Sequence, residues 1–92
     1  MWVYVEKRAS GKNKVEGFGS EESAKVALAR FLTGFTEATG CDAFREHYGS
    51  IEDILAQGRF EWGDGENVAY VDCMGLLRAR ELKAELCGKN IG

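Results

Sequence analysis

Proline is absent from the chain, so its turns fall to twelve glycines together with asparagine, aspartate and serine, and no prolyl isomerisation can slow folding. Histidine occurs once, at His47, and the three cysteines, Cys41, Cys73 and Cys87, include no Cys-x-x-Cys pair. Three thiols cannot all pair within one chain, and their spacing lacks the close ligand pairs of a structural zinc site, which points to a reducing compartment. No window approaches the apolar length of a membrane span, and Met1-Trp2-Val3-Tyr4-Val5-Glu6 sets no basic leader before an apolar run. The expectation is therefore a cytoplasmic chain with no membrane contact. Gly17-x-Gly19 and Gly63-x-Gly65 lack both the spacing and the lysine of a phosphate-cradling loop.

What is present is an ordinary globular composition, 45% hydrophobic and 29% charged over 92 residues. That length makes one domain, able to bury about 60–65% of its unfolded surface without metal or disulfide staples. The net charge of −3 is unevenly spread. Lys7, Arg8, Lys12 and Lys14 against Glu6 leave +3 on residues 1–14. Residues 40–72 set Arg45 and Arg59 against eight acids, −6, and the last twenty set Arg78, Arg80, Lys83 and Lys89 against Glu81 and Glu85, +2. An acidic middle thus lies between two basic ends.

Alternation over residues 2–7, with Trp2, Tyr4 and Glu6 one way and Val3, Val5 and Lys7 the other, predicts a strand with one wet face. The turn formers of residues 9–13 precede a second strand at 14–18, giving a hairpin whose basic loop is expected to be flexible. Ser20 suits an N-cap and Glu21 and Glu22 the positive helix end; Ala24, Ala27, Leu28, Phe31, Phe35 and Ala38 form the apolar stripe up to Gly40. Short helices over 42–48 and 51–57 follow, the second opened by Ser50 and closed by Gly58. Strands at 59–62 and 68–73 flank an Asp64-Gly65 turn, and a last helix over 76–87 puts Leu76, Ala79, Leu82 and Leu86 on one side.

These elements predict an α+β fold of order ββα-(α)-α-ββα, a four-stranded antiparallel sheet with helices packed mainly on one face. The chain divides into a hairpin-helix unit at 1–39, a short helical spacer at 40–58, a second hairpin-helix unit at 59–88 and a tail at 89–92, all in one domain.

Chemistry is thinly signalled. His47 with Cys41, Cys73 or Cys87 offers the residue types of a thiol nucleophile or a zinc site without the spacing of either, and the three cysteines are expected to serve as small hydrophobes. Glu61, Asp64, Glu66 and Asp72 cluster on the second hairpin without the pattern of a calcium loop, and read as a solvated edge. No catalytic set, metal or cofactor is expected. Surface groups are the better candidates: the tip bases Lys7, Arg8, Lys12 and Lys14, with Trp2, Tyr4 and Phe18 nearby as stacking groups, together with Arg59, Trp62 and Arg78.

In size, dipolar charge, absence of a catalytic set and element order, the chain resembles the small phage-encoded anti-CRISPR proteins. That resemblance implies an inhibitor that docks on a protein or guide-RNA surface of a host defence complex, and it assigns no individual residue. The function expected is a non-enzymatic interaction protein that blocks a host protein or ribonucleoprotein complex by steric occlusion, as a monomer or a homodimer. The alternative is direct contact with RNA or DNA through the first hairpin, and a cysteine-dependent enzyme is the third class.

Overall fold

The computed structural model describes residues 1–88; the tail expected at 89–92 lies outside the described residues. Element order is β1 (Trp2–Lys7), β2 (Lys14–Phe18), α1 (Glu21–Thr39), α2 (Cys41–Tyr48), α3 (Ile51–Gln57), β3 (Arg59–Trp62), β4 (Asn67–Cys73) and α4 (Leu76–Cys87). The four strands form one antiparallel sheet in the order β2-β1-β4-β3, so the two hairpins lie side by side, joined through β1 and β4. The architecture is the expected α+β fold.

Helix ends follow local chemistry. The Ser20 hydroxyl accepts from the Ser23 amide at 3.1 Å and the Ser50 hydroxyl from the Asp53 amide at 3.1 Å, each satisfying a first-turn donor. Gly58 stops α3 in the left-handed conformation (φ 73°), its N–H reaching Ile54 O and Leu55 O, and turns the chain directly into β3.

Strand parity builds two cores. On one face Tyr4, Ala69 and Phe60 meet Leu28 and Leu32 of α1, Phe44 of α2 and Ile54 of α3. On the other, Val3, Val5 and Val15 meet Ala79 and Leu82 of α4. Three helices share one face, and α4 crosses the opposite one, against β2 and β1. The strand expected to have a wet face, β1, is covered on both: Val3, Tyr4, Val5 and Glu6 are all buried, because β1 is central in the sheet rather than at its edge. The buried stripe of α1 is Ala24, Leu28, Leu32 and Thr36, with Phe31 and Phe35 on its half-buried flank and Ala38 exposed. All three cysteines are exposed rather than packed as small hydrophobes: Cys41 begins α2, Cys73 ends β4 and Cys87 ends α4, each outside the apolar stripes. Among the described residues no helix is long and apolar enough to cross a membrane.

Candidate binding edge around strand β2

The first hairpin is held in place at both ends of its loop. The Asn13 side chain accepts from the Arg8 amide at 2.7 Å and donates to Leu86 O at 2.8 Å, tying the loop to the end of α4. Asn67 Oδ1 accepts from the Ala9 amide at 3.0 Å, tying it to the second hairpin. The loop expected to be flexible is thus anchored by side-chain hydrogen bonds to two distant parts of the chain, a tertiary arrangement invisible in its turn-forming composition.

The sequence candidates do not form one surface. Arg8 folds inward: it donates to Glu6 Oε1 at 2.7 Å, and its guanidinium lies 5.6 Å from the Phe31 ring and 5.7 Å from the Trp62 ring, the geometry of a cation–π contact. Trp62 is half-buried, 5.0 Å from Phe31 and stacked on Phe60. Arg59 pairs with Glu61 at 2.9 Å and sits over Tyr70, on the opposite sheet face from Trp62. Arg78 pairs along α4 with Glu85 at 3.3 Å. Lys14 pairs with Glu16 at 3.4 Å, while Lys7 and Lys12 are exposed and make no ion pair among the described residues.

What the fold does bring together is the charge of the two chain ends. Because β2 is an outer strand and α4 packs on it, Arg80 and Lys83 of the last helix line a depression of about 140 Å³ on one side of β2, with Met1, Val15, Gly17 and Leu76. On the other side Arg30 of α1 and Lys14 line a cleft of about 390 Å³ together with Glu16 and the buried Glu6. Lys12 stands in the loop that leads into β2. The outer edge of β2, which pairs with no strand among the described residues, thus has Arg80 and Lys83 on one face, and Lys14 and Arg30 beside the acids Glu6 and Glu16 on the other. Leu76, 53% exposed, adds an apolar contact beside Met1. Glu61, Asp64 and Glu66 of the acidic middle ride on the second hairpin at the other side of the sheet, where α2 stacks Phe44 and Tyr48 on Phe60 of β3. Arg30, Arg80 and Lys83 were not legible as site residues, since in sequence they are helix-surface charges far from the first hairpin.

Of the aromatic groups expected to stack, Tyr4 is interior at 1% exposed, while Phe18, packed on the main core, and Trp2 are half-buried. Tyr4 donates to Glu6 Oε2 at 2.6 Å, and burial, then that hydrogen bond, push its phenol far above its ordinary value of 10.0. Tyr70 is also raised, first by burial and then by Asp72. Both shifts favour the neutral hydroxyl.

His47 lies edge-on to Tyr48 at 4.5 Å in a shallow depression with Thr39, Ala43 and Glu46, where no thiol joins it. Among the described residues no group of three or more His, Cys, Asp or Glu is placed to hold a metal ion. Compared with known proteins, the chain matches no family model, no curated protein and no solved structure.

Proposed function

We propose that this chain is a non-enzymatic interaction protein whose β2 edge docks on an acidic surface of a partner protein or nucleoprotein complex and blocks it by occupation. The observation that carries this reading is the placement of Lys14 and Arg30 on one side and Arg80 and Lys83 on the other side of outer strand β2, whose far edge pairs with no strand among the described residues, with Lys12 in the loop before it. An open edge supplies backbone donors and acceptors for strand addition, and a cationic rim supplies steering and register. Inhibition of the anti-CRISPR kind, capping a host complex, is the biological setting we infer for such a surface.

Direct nucleic-acid binding is the second reading, favoured by the same cations. The burial of Tyr4 and the half-burial of Trp2 and Phe18 leave little open aromatic face of the kind single-strand binders stack bases on, so phosphate contact carries this reading.

Affinity capture from the native source, compared between the wild type, the pair Arg80→Glu and Lys83→Glu, and the pair Arg59→Glu and Arg78→Glu, tests the proposal. The first pair should lose the captured partner and the second should keep it. Titration with short RNA and DNA at low and physiological salt separates the two readings, because phosphate contact weakens steeply as salt rises. Retention of the partner by the first pair would remove the β2 edge as the site.

A further inference from the structure

The opposite edge of the sheet carries its own information. β3 is an outer strand, with β4 on one side and no strand on the other among the described residues. The Val71 amide donates to Gly58 O at 2.9 Å, and the β3–β4 register continues as Arg59↔Tyr70, Phe60↔Ala69, Glu61↔Val68 and Trp62↔Asn67. In an antiparallel pair, residues whose backbone groups face the neighbour alternate with residues whose groups face away. Gly58 faces β4, so Phe60 and Trp62 do as well, and the N–H and C=O groups of Arg59 and Glu61 point out of the sheet.

We propose that β3 pairs antiparallel with β3 of a second copy about a two-fold axis at Phe60, joining two four-stranded sheets into one. Outward-facing residues can meet only outward-facing residues, which leaves three registers. Arg59 opposite its own copy, or Glu61 opposite its own copy, sets like charges across the ladder, which is destabilising; Arg59 opposite Glu61 sets unlike charges at both positions. In that register each Arg59 exchanges two backbone hydrogen bonds with Glu61 of the other chain. The existing Arg59–Glu61 ion pair at 2.9 Å and its copy then form a ring of four alternating charges on the face away from α1.

The acids of the hairpin turn do not oppose this. Asp64 and Glu66 lie in the turn after Trp62, and a two-fold axis at Phe60 sends the turns of the two copies to opposite ends of the joined strands. The β2 edges stay free at the two ends of the joined sheet, so the dimer is independent of the function proposed for them.

Sedimentation velocity from micromolar to millimolar protein tests the pairing, with circular dichroism confirming that each variant stays folded. The wild type should dimerise as concentration rises. Arg59→Glu or Glu61→Arg alone should weaken the dimer about tenfold or more, and the double exchange should restore it. Amide exchange supplies a second readout: the Arg59 and Glu61 amides should be protected at high concentration and exposed at low concentration. A monomer throughout would leave the edge to a foreign strand and overturn the proposal. So would a dimer indifferent to the single reversals, or Arg59 and Glu61 amides that stay unprotected in it.

Discussion

The Tyr4 hydroxyl donates to the Glu6 carboxylate at 2.6 Å from the same side of a central strand, with Tyr4 1% and Glu6 8% exposed. Arg8 completes the group from the other carboxylate oxygen. A buried carboxylate is tolerated only when paired and hydrogen-bonded, and here both partners come from its own strand or the residue just beyond it.

This arrangement makes stability fall at alkaline pH. Tyr4 stays protonated in the fold above its ordinary value of 10.0, where the unfolded chain ionises, so above pH 10 the unfolded state binds fewer protons and stability falls as pH rises. Below that pH the contribution is fully present. Thermal melts should show a loss of about 1.4 kcal/mol per pH unit from Tyr4 above pH 10. Tyr4→Phe should flatten that slope while lowering stability at neutral pH by about 1–3 kcal/mol, since Glu6 loses a donor.

Thr36 presents the opposite case. Its hydroxyl is buried in α1 and has no hydrogen-bond partner among the described residues. Thr36→Val keeps the shape and removes the desolvated group, so denaturant unfolding should show a gain of about 1 kcal/mol.

Two cores imply two independent sites of cost. Leu28→Ala under α1 and Leu82→Ala under α4 should each destabilise by about 2–5 kcal/mol, and because they lie on opposite faces of the sheet their effects should add. Leu77→Ser, at a side chain 75% exposed, should change the midpoint of urea unfolding by less than about 0.5 kcal/mol equivalent.

The thiols give a rapid check of surface placement. Cys41, Cys73 and Cys87 are exposed and unpaired, so all three should react with a thiol reagent in the native protein, without denaturant. A native count of fewer than three would contradict their positions at the ends of α2, β4 and α4.

Local signals in the sequence were strong enough to place every element. Ser20 and Ser50 mark helix starts because their hydroxyls can accept from first-turn amides, and Asp64-Gly65 marks a turn because it accepts positive φ. Parity along β1 separated Val3 and Val5 from Tyr4 and Glu6 correctly. It could not show that β1 is central, since strand order depends on the pairing of β1 with β4, whose partners run from Trp2↔Cys73 to Lys7↔Val68, far apart in sequence. The same blindness explains the site. Arg80 and Lys83 read as solvated helix charges until α4 is laid on β2, and Arg8 reads as a free tip base until Phe31 and Trp62 are placed around it.

The central claim is that function resides in the cationic β2 edge, and site-specific photocrosslinking tests it most directly. A crosslinker at Gly19, just past the end of β2 in open space, should trap the partner in extracts of the native source, and the trapped species should disappear when Arg80 and Lys83 are changed to glutamate. A partner trapped instead from a crosslinker at Asp64, on the acidic hairpin, and unaffected by those two changes would contradict it.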